Sequence, residues 1–281
     1  MIVCSVRLGN PENVIRGVIG VNMSKELGQK DCFVALFDIL GFSELVRKNE
    51  LGRVANTYSR AKKVFKEMLS YVNALNKGFK KNVTVKYRSF SDTFLIYTST
   101  ANEDDFDSLL AACDGLFIGA IENRLLIRGA VTCGELIISA GVEIGKPIVD
   151  AYNSEQKEDW SGCWITEKCI SKINITSYLK DGSVVKYKIP LKDGEVKMYF
   201  ALNWVKSLTF KTMFKNRRND FTLEQIKDQI RFINDKYSNW AIRRKLDNTN
   251  RFVDFVLSSK FIKAYKAGIT TVRANQQITT G

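Results

Sequence analysis

The chain has 281 residues, enough for one large domain or for one domain with an appended lobe. A hydrophobic fraction of 45% and only 3 prolines exclude a disordered or low-complexity chain. The count of 0 histidines excludes histidine-dependent catalytic triads and histidine-ligated zinc or haem sites, so any acid–base or metal chemistry must use carboxylates.

The six cysteines are spread along the chain without a C-x-x-C pair, which predicts reduced thiols rather than a disulfide framework. The segment from Met1 to Cys4 lacks the basic and apolar regions of a signal peptide. No apolar run approaches the length of a membrane span. We therefore expect a soluble, cytoplasmic protein with no membrane partner.

The net charge of +13 belongs to the C-terminal part of the chain. Residues 1–170 contain 21 basic and 21 acidic residues, whereas residues 171–281 contain 22 basic and 9 acidic ones. A basic surface of this kind favours polyanions such as triphosphates or nucleic acid.

The first thirty residues are weakly patterned, and organised sequence begins with an apolar run from Phe33 to Phe37. This run predicts a buried central strand that ends at Asp38. The spacing of apolar residues then predicts an amphipathic helix from Phe42 to Val72, with Ser43 as its N-cap and a break near Gly52.

The next patterns predict a β-hairpin, a second helix and two further strands. In chain order they are strands at 83–90 and 94–97 with Asp92 in the turn, a helix at 103–123, and strands at 125–133 and 135–139 separated by a break at Gly134. The resulting β-α-β-β-α-β order is the split βαβ arrangement of ferredoxin-like folds. The sequence therefore predicts an α+β fold with a ferredoxin-like core.

The remaining sequence predicts additional C-terminal strands followed by a helical lobe. The expected elements are a helix at 147–157, strands at 184–189 and 195–204, and helices at 223–237 and 251–267. Several basic residues fall between or beside these last helices, among them Arg243, Arg244 and Lys245.

Two aspartates fall at positions where their carboxylates could bind a metal ion together. Asp38 follows the buried strand, and Asp92 sits in the turn of a hairpin that would lie beside that strand, so the two carboxylates would converge at one edge of the sheet. Oxygen ligands without histidine or cysteine suit Mg²⁺ or Mn²⁺. Taken singly, a strand-end aspartate is more often a helix cap or a turn former, and that alternative stays open on spacing alone.

The sequence motifs around these aspartates resemble those of the class III nucleotidyl cyclases. The matching segments are Phe37-Asp38-Ile39-Leu40-Gly41-Phe42-Ser43, Ser91-Asp92-Thr93-Phe94, Arg128-Gly129-Ala130-Val131-Thr132-Cys133-Gly134 and the strand from Asp193 to Phe200. Within that family the chain is most similar to the bacterial pyrimidine cyclases of the Pycsar anti-phage systems, through the segments 145–152 and 159–162. The resemblance implies a cyclase palm at 31–204, flanked by an N-terminal extension at 1–30 and a basic helical lobe at 205–281.

The resemblance also implies roles for individual residues. Asp38 and Asp92 match the two metal-binding aspartates, and the backbone carbonyl of Ile39 matches a further ligand, so two divalent cations, Mn²⁺ or Mg²⁺, are expected. Arg88 matches the base-recognition position, where a guanidinium would address the acceptor atoms of a pyrimidine. Arg128 matches an arginine that contacts the triphosphate, and Lys192 lies one residue before the position of a phosphate-binding lysine.

The chain departs from the family pattern at the residues that contact the transition state. Val149 and Asn153 stand where the family has asparagine and arginine. Lys146, Tyr152, Asn153 and Lys157 are the candidates to replace the missing donors. Val142 stands where adenylyl cyclases have a base-recognition aspartate, while Glu143 could accept a hydrogen bond from the amino group of cytosine or be an ordinary exposed glutamate.

The resemblance predicts a homodimeric cyclase that converts CTP or UTP to the 3′,5′-cyclic monophosphate and pyrophosphate in anti-phage defence. Two other interpretations stay open. The basic C-terminal part, with its interleaved aromatic residues, would suit a nucleic-acid-binding protein on a ferredoxin-like scaffold. The missing Asn/Arg pair would suit a cyclase fold that binds nucleotide without turnover. We expect no stable nucleic-acid partner.

Overall fold

A computed structural model of the chain describes residues 29–139, 142–209, 223–236 and 240–258. Of the predicted N-terminal extension, only residues 29 and 30 lie within these ranges, and much of the predicted C-terminal lobe lies outside them. The division of the chain into three domains therefore stays a prediction.

Within the described ranges, eight strands form one mixed sheet. They are β1 (Gln29–Ile39), β2 (Lys86–Phe90), β3 (Thr93–Tyr97), β4 (Ile127–Ser139), β5 (Val142–Gly145), β6 (Cys163–Ile165), β7 (Val184–Pro190) and β8 (Val196–Leu202). Seven of them follow the order β2-β3-β1-β4-β6-β8-β7, and β5 pairs with β4 as an additional ribbon. The β4–β6 pair is parallel, whereas the other pairs are antiparallel.

The same described ranges contain nine helices. They are α1 (Phe42–Lys48), α2 (Leu51–Gly78), α3 (Glu103–Glu122), α4 (Lys146–Lys157), α5 (Glu167–Ile170), α6 (Ile175–Asp181), α7 (Trp204–Thr209), α8 (Leu223–Lys236) and α9 (Trp240–Ser258). The four strands β2-β3-β1-β4 with helices α2 and α3 form the split βαβ unit, which confirms the predicted α+β fold class.

The two faces of the central strand β1 carry different side chains because successive residues of a strand point to opposite sides. Phe33, Ala35 and Phe37 face α2 and α3 and lie in the main core. Cys32 and Val34 face the other way and belong to a second, smaller apolar cluster. Helix α4 covers part of this second face. The alternation places the side chain of Asp38 on the second face, outside the main core.

The chain turns sharply between β1 and α1, and the structure assigns this turn to Gly41. Its φ of 71° lies in the left-handed region, which glycine adopts without strain, and it occupies the N-cap position of α1. The predicted Ser43 N-cap is therefore wrong, because the helix already begins at Phe42. The helical pattern is divided at Asn49 and Glu50 into α1 and α2, close to the break expected near Gly52.

Strand β4 is continuous through Gly134, which corrects the predicted break. Gly134 pairs with Cys32 in the middle of a register that runs from Ile127 to Ile137. A Cβ atom at this position would meet Cδ of Pro147 at 3.3 Å, so the glycine allows α4 to pack closely on the strand. The partner that continues the sheet beyond this point is β5, at 142–145, rather than 135–139.

Helix α9 begins eleven residues before the predicted helix at 251–267 and contains Arg243, Arg244 and Lys245. Its buried side chains recur at helical spacing, namely Ile242, Leu246, Thr249, Val253 and Val256. The helix is attached to the sheet through aromatic contacts, since the ring of Phe252 lies 5.0 Å from Tyr187 on β7 and 4.7 Å from Trp160 beside the sheet, centroid to centroid. No helix in the described ranges is both long enough and apolar enough to cross a membrane.

Candidate functional site

The aspartates at the ends of β1 and the β2–β3 hairpin lie side by side. Asp38 pairs with Thr93 in the β1–β3 register, and the amide of Ile39 donates a hydrogen bond to the carbonyl of Asp92 over 3.2 Å. The tight turn before Asp92 is closed by Ser91, whose φ of 52° is left-handed. As a result, the carboxyl groups of Asp38 and Asp92 are within hydrogen-bonding reach of each other.

The electrostatic surroundings of Asp38 disfavour its ionised form. Burial raises the pKa of the Asp38 carboxyl to about 7, with further increases from the negative charges of Asp92 and Glu155. The positive charge of Arg128 opposes these effects. Two carboxylates held this close repel each other, and a divalent cation between them would relieve the repulsion.

The donor set fits Mg²⁺ or Mn²⁺, which prefer oxygen ligands and bind through one or two carboxylates together with water and substrate phosphates. The described residues hold no group of three acidic or cysteine side chains arranged for a metal, so Asp38 and Asp92 would be the side-chain ligands. The side chain of Ile39 is buried in the core at 3% exposure, and only its backbone could reach a cation.

Arg128 lies beside Asp38, since the two residues are partners in the β1–β4 register. Its guanidinium forms an ion pair with Glu155 on α4, and its Nη1 donates to the carbonyl of Glu158 over 2.8 Å. The side chains of Arg128 and Glu155 are 5% and 0% exposed. In this arrangement its donors are engaged within the chain, and the expected contact of Arg128 with a triphosphate stays a prediction.

Lys192 approaches the same place from the loop after β7. Its amide donates to the carbonyl of Lys157 over 2.9 Å, and the charge of its amine acts on Asp38, Glu155 and Asp159. Partial burial and the adjacent charge of Arg128 lower the pKa of the Lys192 amine. The structure therefore brings together Asp38, Asp92, Arg128 and Lys192 among the residues singled out from the sequence.

The predicted base-recognition residues form a second group on the same face of the sheet. Arg88 Nε lies 2.9 Å from Oε1 of Glu143, which also accepts a hydrogen bond of 2.8 Å from the hydroxyl of Tyr97. Burial and the contact with Glu143 raise the pKa of Tyr97 to about 12. The Glu143 side chain is only 7% exposed, which differs from the exposed loop glutamate considered above, whereas Arg88 is 55% exposed and accessible to a ligand.

Two of the substrate-binding candidates on α4 point away from the sheet. The inward side of α4 carries Pro147, Ala151 and Glu155, which are buried. Lys146 and Asn153 are exposed on the outer side of the helix. Within one chain they face away from the sheet that carries the aspartates, and their contact with substrate stays a prediction.

Sequence reasoning missed two residues of this site, Glu155 and Lys245. Glu155 recurs four residues after Ala151 on the buried side of α4, so the helical period could have placed it next to the sheet. Lys245 belongs to α9, which begins before the predicted helix at 251–267, and the apolar spacing of Ile242, Leu246 and Val253 is the signal that could have extended that helix to include it. The charge of Lys245 acts on both Arg128 and Lys192.

No protein-family model matches this chain, and no curated protein matches its sequence. Solved structures similar to it are adenylyl and guanylyl cyclases. The adenylyl cyclase CyaB from P. aeruginosa is 15% identical, with a TM-score of 0.39 over 62% of this chain and 94% of that one. The guanylate cyclase domain of RhGC from Catenaria anguillulae, in complex with GTP, is 15% identical, with a TM-score of 0.39 over 61% and 96%.

A bacterial light-regulated adenylyl cyclase is 12% identical, with a TM-score of 0.44 over 73% of this chain. This chain spans 57% of the length of that cyclase.

Proposed function

We propose that this protein is a nucleotidyl cyclase that converts CTP or UTP to the 3′,5′-cyclic monophosphate and pyrophosphate with two divalent cations, Mn²⁺ or Mg²⁺. The observation that carries the proposal is the adjacency of Asp38 and Asp92 at the edge of the sheet, with Lys192 beside them. Paired carboxylates next to cationic side chains suit a substrate that is a metal-bound polyphosphate.

In such a reaction, some residues of the site would bind the cations and others would bind the phosphates. Asp38 and Asp92 would hold the cations, which supply charge neutralisation on the triphosphate and acidify the 3′-hydroxyl. Lys192 would bind the β- and γ-phosphates and stabilise the negative charge on the departing pyrophosphate. The bond from the 3′-oxygen to the α-phosphorus forms, the bond from the α-phosphorus to the β-bridging oxygen breaks, and the hydroxyl proton leaves to solvent.

The Arg128–Glu155 ion pair would hold this site together rather than contact the reacting atoms. It joins β4 to α4 directly beside Asp38, so it positions the strand end that carries the first metal ligand. Its own charges largely cancel, whereas Lys192 forms no ion pair among the described residues and is available to the phosphates.

Base selection is assigned to Arg88 in this proposal. A guanidinium offers only hydrogen-bond donors, which match the O2, N3 or O4 acceptors of a pyrimidine. Glu143 holds Arg88 in place through its Nε, and the guanidinium is still accessible from solvent. If the pair separates on substrate binding, Glu143 would become available to the amino group of cytosine, which would favour CTP.

We include a homodimer in the proposal because the face that carries Arg88 also exposes large apolar side chains. Phe90, in the β2–β3 hairpin, is 86% exposed, and Val149 and Tyr152 on α4, the helix that packs on this face, are also exposed. Large exposed apolar side chains on one face are typical of an interface. A second copy would cover these side chains and complete each site with residues from both chains.

The experiment that tests the proposal is an incubation of the pure protein with each of the four ribonucleoside triphosphates and Mn²⁺, with products identified by chromatography and mass spectrometry. The expected result is a cyclic pyrimidine monophosphate and pyrophosphate, both lost with EDTA and in Asp38→Asn. Formation of no cyclic product from any nucleotide, in a protein that still binds nucleotide, would identify a fold that binds without turnover. A cyclic purine product would contradict the assigned base preference.

A role in anti-phage defence completes the proposal, and the similarity of segments 145–152 and 159–162 to pyrimidine cyclases of such systems supports it. The expected neighbour in the genome is a gene for a cyclic-nucleotide-binding domain fused to an effector. Cells that carry both genes should resist phage infection, and they should become sensitive when Asp38 is replaced by asparagine.

A further inference from the structure

Helix α9 is attached to the segment that follows α4 by four separate contacts. Arg244 Nε lies 2.5 Å from Oδ2 of Asp159, and the side-chain amide of Asn248 donates to the carbonyl of Asp159 over 2.8 Å. The amide of Ser161 donates to the hydroxyl of Thr249 over 2.8 Å, and Phe252 packs edge-on against Trp160. These contacts fix the position of the helix relative to residues 159–161.

The two residues just before this segment, Lys157 and Glu158, contact the basic residues Arg128 and Lys192 of the candidate site. The carbonyl of Glu158 accepts the hydrogen bond from Arg128, and the carbonyl of Lys157 accepts the one from the amide of Lys192. In addition, the amide of Asp159 donates to the carbonyl of Pro190 over 2.9 Å. Helix α9 is therefore docked, through a few backbone positions, next to Arg128 and Lys192.

Lys245 lies on α9 among the residues that make these docking contacts, and its amine interacts electrostatically with Arg128 and Lys192. It follows Arg244 directly and precedes Asn248 and Thr249 by three and four positions, so it lies on the side of the helix that faces segment 157–161. Its side chain is half-buried. Burial, followed by the charges of Arg128 and Lys192, lowers the pKa of its amine.

No carboxylate among the described residues forms an ion pair with Lys245. The nearest one, Asp159, is already paired with Arg244, and Glu155 is paired with Arg128. A half-buried amine next to other cations is costly to keep charged unless an anion is bound. Lys192 and Lys245 are therefore two amines without an ion-pair partner among the described residues, although the charges of Asp38, Glu155 and Asp159 act on Lys192.

We propose that Lys245 binds the terminal phosphates of the nucleotide together with Lys192, so that the C-terminal helix completes the phosphate-binding side of the site. The inference rests on the proposed function for the identity of the nucleotide. The binding of a polyphosphate is inferred from the two amines alone. Two amines on opposite sides of a chain of phosphates would share the charge that accumulates on pyrophosphate as it leaves.

The alternative for Lys245 is a helix lysine whose amine is simply solvated. A solvated amine would contribute only long-range attraction, which is screened by salt and shared with any other cation on the same helix. Arg251 provides the matched control, because it is an exposed cation on α9 that lies near Tyr187 instead of the phosphate side.

The test uses the full-length protein and inorganic tripolyphosphate as the probe, titrated by calorimetry in a buffer without divalent cations. Lys245→Ala should weaken binding of tripolyphosphate by about tenfold or more, since a charge-assisted hydrogen bond is lost. Arg251→Ala should change it by less than about twofold, as expected of an exposed charge at this distance. Lys245→Arg should retain most of the affinity, and circular dichroism should show that each variant is folded.

Equal affinities in Lys245→Ala and Arg251→Ala would overturn the inference, as would a wild-type protein that does not bind tripolyphosphate. Failure of the inference differs from failure of the proposed function. If the wild type cyclises a nucleotide but Lys245→Ala binds tripolyphosphate normally, only the role of Lys245 is wrong. If no nucleotide is cyclised but Lys245→Ala loses tripolyphosphate binding, the polyphosphate site is supported and the cyclase is not.

Discussion

Arg128 and Glu155 form an ion pair that is almost completely removed from solvent and connects strand β4 to helix α4. The same guanidinium reaches the carbonyl of Glu158, so one side chain holds both the helix and the segment after it. Asp38 on β1 is the register partner of Arg128, so the Arg128–Glu155 ion pair lies directly beside a candidate metal ligand.

We predict that Glu155→Ala destabilises the protein by about 3–5 kcal/mol, because it leaves the charge of Arg128 buried without a partner. The measurement is the free energy of unfolding in urea, in the absence of metal. The matched control is Glu195→Ala, which removes the exposed ion pair with Lys197 and should cost at most about 1 kcal/mol. Similar losses in the two variants would show that the buried pair does not stabilise the contact between β4 and α4.

We predict that Mn²⁺ raises the melting temperature of the wild type and does not raise that of Asp38→Asn or Asp92→Asn. A ligand that binds only the folded state stabilises it in proportion to its affinity, and each variant lacks one of the two carboxylates. Both variants should also lose turnover. Asp228→Asn, on the exposed surface of α8, should respond to Mn²⁺ like the wild type. A normal Mn²⁺ response in Asp38→Asn would contradict the metal assignment.

We predict that inactive Asp38→Ala and inactive Arg88→Ala chains regain activity when they are unfolded and refolded together. In a homodimer whose sites combine aspartates from one chain with Arg88 from the other, each mixed dimer has one site with both residues intact. The measurement is the rate of cyclic product formation by the mixture compared with each variant refolded alone. Complete absence of activity in the mixture would mean that the aspartates and Arg88 act within one chain.

We predict that Arg88→Ala lowers kcat/KM for the preferred pyrimidine nucleotide by about tenfold to a hundredfold and narrows its advantage over the other nucleotides. The pocket loses the donors that distinguish one base edge from another. Lys86→Ala is the control, because Lys86 is an exposed cation two residues earlier on the same face of β2. An equal loss for all four nucleotides would identify Arg88 as a phosphate contact.

We predict that Asp114→Asn stabilises the protein at pH 8 but not at pH 4. Asp114 is in α3, where burial raises its pKa to about 7 and a contact with Ser207 only partly opposes the increase. Because its pKa is higher in the folded state, its favourable contribution is present below pH 4 and is lost as the pH rises through 7. The measurement is the free energy of unfolding of both proteins at the two pH values. A constant difference between them would contradict the raised pKa.

Local sequence patterns were sufficient to predict the strand that carries Asp38 and the hairpin that carries Asp92. The apolar run from Phe33 to Phe37 has the length and composition of a buried strand, and the structure ends that strand just after Asp38. The hairpin that presents Asp92 is confirmed as well, because period-two alternation and a short polar turn depend only on neighbouring residues. The α+β class followed from the order of these elements.

The tertiary structure decided which charged groups meet. Whether Arg128 faces a phosphate or Glu155 depends on how α4 packs on β4, and Gly134, interpreted as a break from the sequence, allows Pro147 of α4 to pack closely on the strand. Lys245 lies 207 residues after Asp38 along the chain, yet helix α9 is docked beside Lys192 by contacts with Asp159 and Ser161. Electrostatic energy depends on distances between charges in space, and local sequence patterns contain no information about distances set by long-range packing.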